Sequence, residues 1–209
     1  MIKKQEQSGF SLVETLVAIT ILLLVIIGPL TITSSTARST SFASEQVIAF
    51  FLAQEGLELV EKVRDDLFLE FVDDPTGPRS DPWSDFVNNN SLPVNLQHCF
   101  DTPGTGGCGL EMADNGTVAD GVNCSTAGAC QLHLATISNT RRSVYTYIDQ
   151  GAGSGTAYTR TIYIEDLESS PGDPEQVRVT SVVTWRSGNI SQAQTVELET
   201  YLLNTYASN

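Results

Sequence analysis

Gly9-Phe10-Ser11-Leu12-Val13-Glu14 opens an apolar run that continues to Ile32, and after Glu14 no further charge appears until Arg38. A short polar leader carrying Lys3 and Lys4 ends at Gly9. The 23 residues from Phe10 to Ile32 span roughly 34 Å as a helix at about 1.5 Å per residue, enough for a bilayer core. An ionised group inside such a span costs about 2.5–3.5 kcal/mol at the centre, so Glu14 is a functional candidate by default. The flanking lysines argue for a cytoplasmic N-terminus with the remainder outside.

A secretory signal peptide places its small-residue cut site after the apolar core. Here Gly9 precedes the core, so a cut at Gly9 leaves the hydrophobic segment on the mature chain, although Thr33-Ser-Ser-Thr-Ala37 also offers a weak cleavage region. A plain single-pass anchor would explain the apolar run but not Glu14. Gly28-Pro29 interrupts the span near its outer end. Proline lacks a backbone donor and clashes with the carbonyl four residues back, at Val25, so a helix break is expected there as a kink or local melting.

Gly9 before the cut, Phe10 after it, Glu14 as fifth residue of the mature chain and the aliphatic stretch Leu16–Ile32 together resemble the type IV prepilin signature. That signature is shared by type IV pilins and type II secretion pseudopilins. The resemblance implies cleavage between Gly9 and Phe10 by a prepilin peptidase/N-methyltransferase, N-methylation of Phe10, and delivery by an inner-membrane assembly platform into a helical filament of pilin subunits. It also implies that Glu14 pairs with the N-terminal amine of a neighbouring subunit. A buried charge is tolerated when partnered and costly when alone, so the pair would select the axial register while apolar burial supplies most of the attraction.

Length and composition allow one ordinary domain beyond the helix: 209 residues, 41% hydrophobic, net charge −14. Removing residues 1–9 deletes Lys3, Lys4 and Glu6, and the net charge falls by one to −15. A chain this acidic is a poor candidate for nucleic-acid binding through a basic patch.

The organisation expected from sequence is a leader over 1–9, a membrane or filament-core helix over 10–33, and an amphipathic helix over 34–72. A disulfide-stapled loop region over 73–130 and an antiparallel sheet over 131–209 complete it. In the second helix, Ala43, Val47, Phe50, Gln54, Leu57, Val60, Arg64 and Leu67 recur every three or four residues, which reads as the sheet-facing stripe. Glu58 and Lys62 stand at i,i+4 spacing, a favourable pair. Ala53-Gln-Glu-Gly-Leu-Glu-Leu-Val-Glu-Lys-Val-Arg-Asp65 resembles the helix of minor pilins of the PilV or type II secretion I type. Asp73-Asp-Pro-Thr-Gly-Pro78, Asn88-Asn-Asn-Ser91 and Thr102-Pro-Gly-Thr-Gly-Gly107 are turn-rich, so 73–130 reads as a surface loop, with Trp83, Phe86, Val87, Leu92, Val94 and Leu96 in short packed elements. Beyond it, Gln131–Ile137, Ser143–Ile148, Thr156–Asp166, the alternating Val177–Trp185 stretch and Gln194–Leu203 predict strands in a sheet of about four, with Gln150-Gly-Ala-Gly-Ser-Gly155 as a hairpin loop. The fold class is α+β, a pilin-like long helix packed on an antiparallel sheet.

Cys99, Cys108, Cys124 and Cys130 fall outside the membrane, where two disulfides are the natural reading. Three connectivities are open; Cys99–Cys108 with Cys124–Cys130 is favoured because short loops close locally. Zinc would need these cysteines with His98 or His133, yet no Cys-x-x-Cys occurs; His133 is expected on an exposed strand face. The acidic loops Asp114–Asp120 and Asp166–Glu175 could supply oxygens to calcium, although neither has EF-hand spacing. Asn89, Asn115, Asn123 and Asn189 begin glycosylation-type sequons, a pattern frequent by chance. No nucleophile, base and orienting group converge in sequence, and Ser154 lacks the flanking glycine of a nucleophile elbow. No cofactor and no enzymatic activity are expected. The rival to a filament subunit is a membrane-anchored adhesion or binding domain that does not polymerise.

Overall fold

The computed structural model describes residues 9, 11–74, 81–88, 94–100, 106–113, 115–119, 121–137, 142–167, 175–188 and 192–205. Lys3, Lys4, Phe10, Asn89, Leu92, Asp114, Asp120, Asn189 and most of the 166–175 acidic loop lie outside them. The chain comprises two compact units, Met1–Ser44 and Glu45–Asn209.

In the first unit the backbone is helical from Leu12, the start of α1 (Leu12–Asp73). Every residue from Ser11 to Ser41 is exposed. The helix is continuous through Gly28 and Pro29, so the expected melting there is not observed. Two threonine hydroxyls cover nearby carbonyls: Thr31 Oγ1 donates to Gly28 O at 2.8 Å, and Thr33 Oγ1 to Pro29 O at 2.8 Å. Neither is Val25 O, the carbonyl that Pro29 leaves without its helical donor.

In the second unit, the α1 residues from Glu45 onward pack on a seven-stranded antiparallel sheet. The strands are β1 (Cys108–Gly109), β2 (Val122–Asn123), β3 (Gln131–Ile137), β4 (Arg142–Thr146), β5 (Gly155–Asp166), β6 (Gln176–Trp185) and β7 (Gln194–Leu203). β5 is the spine. β6 runs along one edge of it, and β1 and β3 share the other. β2 pairs with β1, β4 with β3 and β7 with β6, and these three strands are the ends. All five expected segments form strands, β3 to β7, in a sheet larger than the four or so expected. The two further strands, β1 and β2, come from the middle of the chain, where their two-residue length leaves no alternation to read. The expected hairpin across Gln150–Gly155 also does not form: β3 lies between β4 and β5, and the connection crosses its end.

The helix buries Ala49, Leu52, Ala53, Gly56, Leu59, Val60, Val63, Leu67 and Phe68. Only Val60 and Leu67 of the expected stripe are among them; Val47 is 54% exposed and Phe50 45%. The face is rotated from the expected one, and at its near end the small residues Ala49, Ala53 and Gly56 are buried beside Leu52. A Cβ on Gly56 would stand 2.5 Å from Ser181 Oγ and 3.3 Å from Ile162 Cδ1, so helix backbone and strand approach too closely for any side chain. Lys62 also pairs forward with Asp66, at 2.9 Å, instead of back to Glu58.

Among its described residues the middle region reaches far into the core, and Trp83, Phe86, Val94 and Leu96 are packed as expected. Trp83, Phe86, Val94, Leu96, Cys99, Cys108, Leu110 and Val118 join Leu59–Phe68 and the inner faces of β5, β6 and β7 in one buried cluster. α2 (Pro82–Val87) delivers the two aromatics, with ring centroids 5.8 Å apart. Asp81 caps it, accepting from Trp83 N at 3.1 Å and Ser84 N at 3.0 Å, while Pro82 occupies a first-turn position whose missing donor is not needed. Disulfides join Cys99 to Cys108 and Cys124 to Cys130.

Candidate processing and assembly site

Gly9 is exposed, and a Cβ there would meet nothing within 4 Å. Packing therefore gives no reason for glycine at this position. Helical hydrogen bonding begins when Thr15 N donates to Ser11 O at 3.2 Å. Glu14 lies in the first turn of α1 and is exposed. A carboxylate there complements the positive end of the helix dipole. Among the described residues it has no ion-pair partner.

From Leu12 to Ile32, fourteen large aliphatic side chains are each 45–77% exposed. Burying a Leu, Ile or Val side chain is worth about 1.5–3 kcal/mol. The run therefore offers on the order of 20 kcal/mol to any apolar environment, far beyond what a water-facing surface ordinarily carries. The most apolar 18-residue window has a mean hydropathy of 2.6, and none of it is buried. The polar side chains within the run are already satisfied: Thr15 Oγ1 donates to Leu12 O at 2.8 Å and Thr20 Oγ1 to Leu16 O at 2.7 Å. Back-bonding of this kind lets threonine enter lipid without an unpaired hydroxyl. Glu14 is then the one side chain in the run whose polar atoms remain to be partnered, among the described residues.

Two polar groupings in the second unit escaped the sequence reading. Arg160 on β5 is 1% exposed. Its Nε donates to Tyr147 Oη at 2.8 Å, Nη1 to Leu52 O at 3.1 Å and Glu55 Oε2 at 2.8 Å, and Nη2 to Leu110 O at 2.6 Å. The guanidinium also lies 5.4 Å from the centre of the Tyr147 ring. One side chain thus ties α1, the β1 region and the segment after β4 to the spine strand. Burial opposes its charge, but interaction with Tyr147 and Glu55 outweighs burial and holds its pKa above the usual arginine range. Burial pushes the Tyr147 hydroxyl up, against the pull of Arg160. The signal in sequence was phase: Tyr158, Arg160, Ile162 and Ile164 alternate on one face, which puts a cation in an apolar row.

The second grouping is His133, Asp149 and Ser154. Ser154 Oγ lies 3.1 Å from His133 Nδ1 and donates to Asp149 Oδ1 at 3.0 Å, while His133 Nδ1 stands 3.5 Å from the same carboxylate oxygen. His133 is half-buried, with its side chain 14% exposed, and so is not on an open strand face as expected. Both contacts use Nδ1. A serine–histidine–carboxylate relay needs one ring nitrogen on each partner, so this cluster does not form one. It clasps the 149–154 turn to β3. The Gly151 N–H bond and the Ser154 hydroxyl hold Asp149 below the usual carboxylate range, with His133 adding to the effect. All four cysteines are in disulfides, so none is a thiolate ligand for zinc.

Residues 4–28 match the family model described as the prokaryotic N-terminal methylation motif. The chain carries the type IV prepilin signature. The match covers Gly9, Phe10, Glu14 and Gly28 and ends one residue before Pro29. No curated protein and no solved structure matches the chain. The prepilin signature implies processing by a prepilin peptidase and assembly with other pilins, and it points to a structural protein. With the apolar helix it supports membrane anchoring through one N-terminal helix. The long helix on an antiparallel sheet is a pilin-like α+β fold.

Proposed function

We propose that this chain is a minor pilin or pseudopilin, a structural subunit of a type IV pilus or a type II secretion pseudopilus. In this reading residues 1–9 are the leader and 10–33 the membrane and then filament-core helix. Residues 34–72 lead into the outer domain, built from 73–130 and 131–209. The N-terminus begins in the cytoplasm and the domain outside. Cleavage after Gly9 frees an amine on Phe10, which is N-methylated. Glu14 of one subunit then pairs with that amine on its neighbour. Gly28-Pro29 is a point where the helix can lose order as it leaves the bilayer for the filament.

The observation that carries this reading is Glu14: an exposed carboxylate without an ion-pair partner among the described residues, within a methylation motif and at the head of an uncharged apolar run. N-terminal sequencing and mass spectrometry of the mature protein test it. N-methyl-Phe10 is the expected result; an intact Met1 or a cut near Ala37 would overturn it. Glu14→Ala should leave membrane insertion intact and abolish incorporation into filaments, and normal incorporation would remove the role given to the carboxylate. An anchored adhesion domain working alone would show no loss in that variant.

A further inference from the structure

We propose that the outer edge of β7 is a docking site for an extended segment of a partner protein in which basic and apolar residues alternate. This goes beyond the pilin reading and does not depend on it. β7 pairs with β6 from Gln176↔Leu203 to Trp185↔Gln194 without a register shift, and among the described residues it has no other strand neighbour. An antiparallel edge strand turns every second residue's N–H and C=O away from its single neighbour, a ready template for one more strand. Proteins commonly protect such edges by shortness, bulges, proline or lysine. The opposite ends, β4 and β2, are five and two residues long. β7 has ten residues, no bulge, no proline and no basic side chain.

The two faces of β7 say what would pair there. Thr195, Glu197, Glu199, Tyr201 and Leu203 are exposed on one face, whereas Gln194, Val196, Leu198 and Thr200 are half-buried on the other. On β6 the residues of that second face, Val179, Ser181 and Val183, are fully buried. The apolar face of the sheet thus runs out part-way across β7, and an added strand would finish covering Val196 and Leu198. Its other face would meet Glu197 and Glu199, the second of which already interacts electrostatically with Arg178 of β6. Two copies pairing antiparallel about Leu198 would set Glu197 opposite Glu199, and like charges directly opposed are destabilising. A partner strand with basic residues on that face and apolar ones on the other meets both demands, in a strand-addition mode where backbone bonds give affinity and alternate side chains specificity.

The test uses the full chain in detergent micelles at neutral pH with a ten-residue peptide alternating lysine and valine. Two control peptides accompany it: one alternating glutamate and valine, and the lysine–valine peptide with all its backbone amides N-methylated. The lysine–valine peptide is expected to slow amide exchange at residues 194–203 and to bind at least tenfold more tightly than either control. Equal binding of the N-methylated peptide would reduce the effect to charge attraction and overturn the proposal, as would protection elsewhere or none at millimolar peptide. Glu197→Lys with Glu199→Lys should reverse the preference toward the glutamate peptide. Were that variant unfolded by tryptophan fluorescence, the N-methylated comparison on the native chain would still decide. Failure here leaves N-methyl-Phe10 detectable, so it is distinguishable from failure of the pilin reading.

Discussion

Arg160 is the side chain whose removal should do most damage for its size, and its partners allow the damage to be apportioned. In Arg160→Met, Leu52 O keeps its partner within the helix, and Glu55, whose side chain is 46% exposed, can turn to water. Tyr147 Oη still reaches the backbone carbonyl of residue 160, at 3.3 Å. Leu110 O, in a residue with no exposed surface, loses the 2.6 Å bond from Nη2. An orphaned buried acceptor costs about 1–3 kcal/mol, and the lost charge-assisted bond to Tyr147 adds about 1 kcal/mol or more. Relief from desolvating the guanidinium offsets part of this. The net expectation is about 3 kcal/mol, or a fall of roughly 6–12 °C in Tm for a domain of this size. Arg160→Lys should be no better. An ammonium keeps the charge but is a single point, and it cannot span Leu110 O and Tyr147 Oη as the planar fork does. Glu55→Ala should cost a comparable amount, about 3 kcal/mol or more, because it leaves the buried Arg160 guanidinium without its carboxylate. Unfolding in micelles, followed by the fluorescence of the buried Trp83 and Trp185, would place all three variants well below the native chain. If Arg160→Lys retained native stability, charge alone would suffice and the fork geometry would be irrelevant.

Gly56→Ala tests the close approach of helix and sheet. Helix propensity favours alanine by about 1 kcal/mol, but overpacking against Ser181 costs about 1–3 kcal/mol. The single variant should therefore be less stable in urea unfolding, and adding Ser181→Ala should restore it; stabilisation by Gly56→Ala alone would contradict the contact. The two disulfides close loops of similar length, with sequence separations of 9 and 6, each worth about 2.5 kcal/mol in chain entropy. Replacing Cys99 and Cys108 by alanine should nonetheless cost more than replacing Cys124 and Cys130, because the first pair is wholly buried and leaves a void in the main cluster. Equal losses would place both bridges outside the core. Burial pushes the Tyr158 hydroxyl up to about 12 and raises Tyr147 as well. The unfolded chain then loses these protons first, near 10, so the two tyrosines' contribution to stability should be flat below pH 10 and fall as pH rises from there toward 12. Unfolding midpoints across that window, with tyrosinate absorbance, check the sign.

The membrane segment was legible because its signal is local. Charge order, a small residue before the apolar run and one carboxylate within it need no tertiary context. The late strands were legible for a similar reason: Val177, Val179, Val183 and Trp185 alternate with polar residues and are buried as that alternation requires. The buried helix face is not legible from side-chain size, because Val47 and Phe50 lie outside it while Ala49, Ala53 and Gly56 lie within it. Phe50 and Phe51 instead stack edge to face, with centroids 6.0 Å apart, on a side that remains largely open. The small residues of the buried face become meaningful only once Ser181 and Ile162 stand opposite Gly56. Arg160 and the His133–Ser154–Asp149 clasp each join residues far apart in the chain, which periodicity cannot detect.

The middle of the chain shows most clearly why turn-rich composition is a poor guide to burial. Near Gly56 the helix can lie directly on β5 and β6, because Ala49, Ala53 and Gly56 occupy almost no space. Farther along, its buried face enlarges to Leu59, Val60, Val63, Leu67 and Phe68, and the strands alone do not cover it. Trp83 and Phe86 on a six-residue helix, Val94, Leu96 and the Cys99–Cys108 bridge complete that cover, and Leu110 and Val118 close it. Each of these elements is too short to hold its shape unaided; a two-residue strand or a single turn of helix gains little from its own hydrogen bonds. The prolines, glycines and asparagines between them turn the chain tightly enough to bring each anchor into the cluster. Local order here follows from tertiary burial, with the Cys99–Cys108 disulfide, the pairing of β1 with β5 and the Arg160 bond to Leu110 tying the segment to the sheet.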